Sequence, residues 1–471
     1  MAFLTNEDLK ACFSLFCVAF GIGSLGMPSN YARAGYVWAT IALVFMAAIN
    51  MYASVCMSKV MNVAPKNVQT LADIGEWVFG TPGRWVTVVT HMLVCVMVPI
   101  VFLVLGGTLL TVLFPDSYSD STWIALMGIS LLPVCLIPTL KDGAGTAAAG
   151  ALGTILADSI ALYVLISNTT PMLSDISPPT PQLSFGSVTT VFGNLSLAFG
   201  CGTIIPSLQL EHSDPSRMPR VIKFTISLTA VLFLLISILG DFTMGCQIPG
   251  NLLFSIIGSS MGFTASRGPV ILSFLLMQLH ITIAFALVLF PAMFIAERLF
   301  LGLHKDEFKL ESDYGDLETP ALKEEKPDAP EVPAVKEAHE HRDPAAAYKA
   351  PGAYLKAVAL RTIMVVICVV IAILAKDKFS DLLDFVGASA TSLCCAILPI
   401  AFYLRTFYHS LSLPEKAFGF FSITMVSFLA IYVTIHTGKA LFDPQPSTAT
   451  FPYCEPKFQQ VVYTNRTFYK Y

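Results

Sequence analysis

The sequence predicts an all-α membrane protein of eleven transmembrane helices, built as an inverted repeat of two five-helix halves plus one extra helix. Three observations carry this reading. Hydrophobic residues make up 55% of the 471 positions and charged residues only 13%, against about 45–50% and about 25% in soluble chains. Apolar runs of about 20 residues, the length that crosses a bilayer, recur along the chain. Two of those runs, five spans apart, carry the same Gly-x-Gly and Pro interruption. Because 20 of the charged residues crowd into 304–350, the remainder is nearly uncharged. That excludes a soluble enzyme, a disordered chain and a collagen-like repeat.

The spans read, in order, 9–28, 36–60, 85–114, 122–140, 144–167, 188–210, 221–245, 268–301, 354–375, 382–404 and 417–435. Charges, Pro and Gly end them: Lys59 closes the second, Arg84 precedes the third, Lys141 and Asp142 separate the fourth from the fifth, and Arg217 and Arg220 separate the sixth from the seventh. The chain then divides into residues 1–302 with eight spans, an acidic loop 303–353, residues 354–437 with three spans, and a tail 438–471. The loop carries 13 acidic and 7 basic residues between 304 and 350, with Pro327, Pro330, Pro333 and Pro344. Such a composition cannot bury a core, so it is expected to be disordered.

Lys and Arg are retained on the cytoplasmic side during insertion. With the N-terminus inside, the inner segments hold 20 basic residues and the outer ones 8, which predicts a cytoplasmic N-terminus, a cytoplasmic loop and an extracytoplasmic tail. Residues 1–10 lack a basic n-region and a cleavage motif, so the first run is expected to stay in the membrane. The glycosylation acceptors Asn168 and Asn465 both fall on the predicted outer side, whereas Asn194 matches the pattern inside a span. Nine cysteines lie in apolar runs without metal-ligand spacing, from Cys12 and Cys17 to Cys394 and Cys395, and read as small hydrophobes. With net charge −4 and dispersed basic residues, nothing points to nucleic acid.

A lipid-facing helix satisfies its own backbone, so a broken span belongs where protein or water meets the freed amides and carbonyls. The first span contains Gly21, Ile22, Gly23, Ser24, Leu25, Gly26 and then Pro28; the sixth contains Phe199, Gly200, Cys201, Gly202, Thr203 and then Pro206. A five-span offset gives these segments opposite orientation, as in an inverted repeat whose breaks meet at mid-depth. Freed N–H groups at a half-helix N-terminus suit a carboxylate and freed carbonyls suit an ammonium. A zwitterionic amino acid has both. The other reading of the glycines is close helix packing.

The segment 21–36, GIGSLGMPSNYARAGY, resembles the first-span signature of the amino acid/auxin permeases of the amino acid–polyamine–organocation superfamily. Residues 194–221, NLSLAFGCGTIIPSLQLEHSDPSRMPRV, are similar to that family's sixth span, and 385–403 to its tenth. The resemblance implies a leucine-transporter-like fold and amino acid uptake driven by protons or, in some branches, sodium. It also places the substrate carboxylate on the amides of Ser24, Leu25 and Gly26, and the amino group on carbonyls near Phe199, Gly200 and Cys201. The chain departs from the family at Gly240-Asp241, where the family often has Gly-Tyr.

Ionisable residues inside spans are costly and so are functional candidates. Asp158 stands alone in the middle of the fifth span, which packs near the broken first helix in related folds; it fits a proton acceptor and equally a carboxyl held by packing partners. His280 and Thr282 lie about 200° apart on a helix, so only one can face a site. By the resemblance Thr282 matches a hydroxyl of the cation site in sodium-coupled relatives and is expected inward, with His280 packing. Glu211 and His212, beside Arg217 and Arg220, are expected to form an interfacial charge cluster or inner gate.

The combined expectation is a non-enzymatic secondary active amino acid transporter, a proton symporter by alternating access, in the plasma membrane or a vacuolar/lysosomal membrane. Its partners are an amino acid and the bilayer, with no metal or organic cofactor beyond the coupling proton or sodium. The alternatives are a sodium-coupled symporter and a sensor that binds an amino acid without moving it.

Overall fold

The computed structural model describes residues 3–65, 68–137, 143–169, 176–257, 261–303, 348, 350–443 and 449–470. The expected disordered loop 303–353 falls largely outside them. Among the described residues the chain is all-helical, with a single isolated bridge pairing Pro181 and Cys454. Among the described residues nine helical stretches are long and apolar enough to cross a membrane, and Asp120–Cys135 is a shorter apolar helix.

The first span is in pieces: α1 (Asn6–Ala19), the single turn α2 (Ile22–Leu25), and the start of α3 (Met27–Val63). A capping box between Thr5 and Asp8 starts α1. Gly35, at φ 68°, takes a backbone conformation that only glycine adopts without strain, and there the chain turns into the second span. The outer part of the first span therefore runs on to residue 34, six residues past the boundary at 28 drawn from hydropathy. Helix α4 (Leu71–Leu113) opens with a capping box at Thr70 and Asp73 and bends at Gly80, φ 68°; its first turns precede the predicted span. Then follow α5 (Asp120–Cys135) and α6 (Gly143–Thr169).

The sixth span is likewise broken, into α7 (Phe185–Ala198), a 3-10 turn (Cys201–Ile204) and α8 (Ile205–Glu211), with Pro206 setting the first turn of α8. Next come α9 (Met218–Met244) and α10 (Arg267–Ala296), which ends in a π turn, Glu297–Leu301. After α11 (Ala353–Ala375), the tenth span is α12 (Phe379–Val386), two π turns (Gly387–Thr391 and Leu393–Ile397) and α13 (Leu398–Phe407). Helix α14 (Leu413–Phe442) is last. Helix α3 packs along α9, and α10 along α4 and α6.

Two buried ion pairs sit at opposite ends of the bundle. At the face that holds the N-terminus, Arg361 is 1% exposed and donates to Glu297 at 2.6 Å, to the Cys135 carbonyl at 2.9 Å and to the Ile137 carbonyl at 2.8 Å. It thereby meets the carbonyls left over at the C-terminus of α5 and ties α5, α10 and α11 together. At the opposite face Arg33 meets Asp384 at 2.5 Å, both buried. Asp8 in α1 accepts from Arg217 and pairs with His212 at 3.0 Å. The Arg217 guanidinium holds the Asp8 carboxyl well below the ordinary carboxylate range.

The π turn of the tenth span lies backbone-to-backbone against α7, where a methyl on Gly387 would overlap the Gly193 carbonyl. Replacing Gly387 with Ala should destabilise the folded protein by about 1–3 kcal/mol, read as a drop of several degrees in the melting temperature in detergent; an unchanged melt would show that this contact is loose.

Candidate functional site

The two helix breaks meet. Phe20 follows α1 and Phe199 follows α7, and both rings pack on Phe233 of α9, with centroids 5.4 and 5.2 Å away. A Cβ on Gly23 would stand 2.5 Å from that of Ala198, and one on Gly26 would stand 2.6 Å from the Asn194 amide nitrogen. At Gly23 two main chains approach too closely for a side chain, and at Gly26 the Asn194 side chain takes the space that one would need.

Between the breaks is a cavity of about 60 Å³, walled by Gly21, Ile22 and Gly23 on one side and Leu197, Ala198, Gly200 and Thr203 on the other. Val94, Val98 and Phe102 of α4, His280, Ala284 and Val288 of α10, and Thr391 complete it. It shares Val18, Val94, Thr203, Leu287 and Val288 with a vestibule of about 520 Å³ whose mouth is formed by residues 69–72, Arg84 and Arg298, at the N-terminal face. Toward the other face the path is shut by Arg33–Asp384 and by the approach of Gly193 to Gly387. A larger depression of about 620 Å³ lies outside the bundle at that face, among Tyr36, Trp38, Phe242 and 178–181; neither break reaches it.

At the first break the Ser24 amide donates to the Gly21 carbonyl at 3.1 Å and the Gly26 amide to the Gly23 carbonyl at 3.3 Å, while Leu25 is wholly buried in the turn. The amides at the open start of α2 belong to Ile22 and Gly23, the positions a helix leaves without an internal acceptor. At the second break the Phe199 carbonyl accepts from the Cys201 amide at 2.9 Å, and the Gly200 carbonyl accepts the Cys395 thiol at 3.3 Å. Gly202 packs against Cys395.

Asp158, 1% exposed, comes to the first break from α6: the Ser24 hydroxyl lies 2.6 Å from its Oδ2 and 2.8 Å from the Gly21 carbonyl. Its Oδ1 has no hydrogen bond among the described residues. The expected facing of α10 is reversed. His280, 1% exposed, lines the cavity and approaches the Gly150 carbonyl through Nδ1 at 3.2 Å, and a Cβ on Gly21 would lie 2.7 Å from its Nε2. Thr282 instead donates to the carbonyl of Gln278 in its own helix at 2.8 Å. With about 200° between them, turning His280 inward turns Thr282 away.

Of the two sequons, Asn168 sits in the last turn of α6 with its amide bonded to the Val164 carbonyl at 2.7 Å, and Thr170 lies outside the described residues. Asn465 is on a turn, its Oδ1 accepting from the Thr467 amide at 3.1 Å and hydroxyl at 2.6 Å. The sequence reading missed the Arg33–Asp384 pair, although Arg33 lies inside the first-span signature. It also missed the Cys246–Cys454 disulfide. The clue to that bond is that both cysteines fall outside the apolar runs on the predicted outer side.

The profile of a family described as transmembrane amino acid transporter protein matches residues 7–440. The chain belongs to that family. Among curated members it is similar to amino acid transporter AVT1I of Arabidopsis thaliana, 25% identical over 52% of this chain and 61% of the relative, and to AVT6A of the same plant, 24% identical over 60% and 65%. The chain spans between 41% and 65% of the length of the curated relatives it matches. Among solved structures it shares the fold of MhsT in complex with L-phenylalanine (TM-score 0.52, 13% identity, 92% of this chain and 98% of that one). It also shares that of the Eremococcus coleocola manganese transporter (0.54, 12%, 94% and 89%).

Phe233 is the ring on which both breaks rest. Phe233→Ala should cost about 3–5 kcal/mol of stability, read as a lowered melting temperature in detergent; an unchanged melt would show that the two breaks do not depend on this ring.

Proposed function

We propose that the chain is a secondary active amino acid transporter, a proton symporter working by alternating access, in a form whose binding cavity faces the cytoplasm. The observation that carries this reading is the pair of helix breaks sharing one small cavity that continues into a vestibule at one face and is closed at the other. The family supports transport of an amino acid. The polar main chain supports a zwitterion, its carboxylate on the amides at the start of α2, its ammonium toward the carbonyls of the second break, and its side chain against Val94, Val98 and Phe102. Of the remaining predicted contacts, Thr203 lines the cavity, while Ser24 to Gly26, Cys201 and Gly202 shape the two turns.

The excess of Lys and Arg supports a cytoplasmic position for the vestibule face. A disulfide belongs in an oxidising compartment, which supports an extracytoplasmic tail and leaves Asn465 the better glycan acceptor of the two. Eleven crossings follow when α1, α2 and the start of α3 count as one span, α5 as another, and the broken sixth and tenth as one each. Spans 1–5 and 6–10 are then the inverted repeat.

Proton coupling runs through Asp158 and Ser24. One hydroxyl hydrogen cannot serve two acceptors. With Asp158 ionised, Ser24 donates its hydroxyl to the carboxylate and the Gly21 carbonyl keeps only the Ser24 amide, its second lone pair open to the cavity. With Asp158 protonated, the carboxyl donates to the Ser24 oxygen, and Ser24 turns its hydrogen to Gly21. A proton on Asp158 thus changes which polar main-chain groups the first break offers. His280, with its Nε2 at Gly21, adds a second titratable group beside this pair.

The test is uptake of labelled amino acids into proteoliposomes under imposed proton and sodium gradients. Uptake should follow the proton gradient, Asp158→Asn should abolish its pH dependence, and Ser24→Ala should weaken coupling at least ten-fold while Ser24→Thr retains it. Binding without flux in the wild type, or pH-dependent uptake that survives Asp158→Asn, would contradict the proposal.

A further inference from the structure

The tail 449–470 lies beyond the family match, which ends at 440, yet it is packed into the closed face. Cys454 is wholly buried and disulfide-bonded to Cys246, at the end of α9. The adjacent Tyr453 carbonyl accepts from the Gln182 amide at 2.9 Å, in the segment that leads into α7. The Gln247 side chain holds the far part of the tail, donating to the Phe458 and Val461 carbonyls at 2.8 and 3.0 Å and accepting from the Tyr463 amide at 2.9 Å. Tyr463, wholly buried, donates its hydroxyl to the Thr243 carbonyl at 2.7 Å. The result is that the ring of Tyr453 stands 5.9 Å from the Arg33 guanidinium, the group that pairs with Asp384 to close this face.

We propose that Tyr453 is a positioning residue of this closure: carried in by the disulfide-pinned tail, its ring holds the Arg33 guanidinium on Asp384, so the outer ends of the first, sixth and tenth spans cannot part without displacing it. A guanidinium near an aromatic face is attracted by the ring quadrupole, the more so when desolvated. Arg33 is buried, and one of its nitrogens, Nε, has no hydrogen bond among the described residues, so the ring is a substantial part of its surroundings. The tail touches the chain on both sides of the opening it would have to allow: the approach to α7 through Gln182, and α9 through Cys246, Gln247 and Thr243. Because α9 carries the disulfide, the tail is expected to travel with it when the closure opens. The consequence for transport rests on the alternating-access reading; the closure itself does not.

Hydrogen–deuterium exchange and uptake kinetics separate the two. Tyr453→Ala should raise exchange of peptides covering 27–34 and 379–386 several-fold with no change across α11. By enlarging the share of molecules open at this face, it should lower the KM measured from that side about two- to five-fold. Tyr453→Phe keeps the ring but loses the hydroxyl, which also lies toward Arg33, and should stay closer to the wild type than to Tyr453→Ala in both. The double substitution C246S/C454S, which loosens the tail without touching Arg33, should move both readouts in the same direction as Tyr453→Ala. It also supplies the comparison if Tyr453→Ala is poorly recovered. Wild-type exchange at 27–34 in both folded variants would overturn the proposal, as would Tyr453→Phe behaving like Tyr453→Ala. Exchange that responds as expected in a protein that moves no amino acid would sustain the closure and contradict the transporter reading.

Discussion

Hydrocarbon offers no partner for a bare amide or carbonyl, and the rest of this structure follows from where the chain nevertheless leaves its helices. The first span stops after Ala19 and the sixth after Ala198. Each leaves polar main chain deep in the bundle, and each is met by protein: by the other break, by α4, α9 and α10, and by the π turns of the tenth span. The close approaches at Gly23 and Gly26, and the two phenylalanines resting on Phe233, are the means by which this happens. π turns are themselves frequent at functional sites, and here the Cys395 thiol they position reaches the Gly200 carbonyl.

The polar groups are distributed unequally along the membrane normal. At the N-terminal face α1 is held to the start of α9 by Asp8 and Arg217, yet a vestibule passes beside them to the breaks. At the other face the outer ends of the first, sixth and tenth spans are brought together by a buried ion pair, by contact between Gly193 and Gly387, and by a tail that crosses the seam. A buried ion pair is weak evidence of stability, because desolvation offsets its attraction. Under the alternating-access proposal, it suits a contact that must be remade in each cycle better than an apolar seam would. In this arrangement the closed face is held by a few directional contacts, while α4, α5, α10 and α11 are tied by Arg361 and by long apolar packing.

The membrane class, most helix limits and both breaks were legible in the sequence, because each is written in hydropathy or in Gly and Pro, which act locally. Asp158 was legible as a charge that hydropathy cannot explain. The facing of α10 was not: a helix apolar on all sides carries no sign of which side is buried, and only packing orients His280. The outer reach of the first span was hidden because Asn30 and Arg33 break the hydropathy while remaining helical within the bundle, Arg33 bonding Asn30 at 2.9 Å across one turn. The Cys246–Cys454 bond joins positions 208 residues apart, beyond any local pattern.

The central claim is that two interrupted helices present their main chain to one zwitterionic amino acid, and an experimental structure of the protein saturated with a transported amino acid tests it most directly. The account predicts density between residues 21–23 and 197–200, with the carboxylate within hydrogen-bond distance of the Ile22 or Gly23 amide. An amino acid seated in the vestibule or elsewhere, with both breaks making no contact to it, would contradict the account.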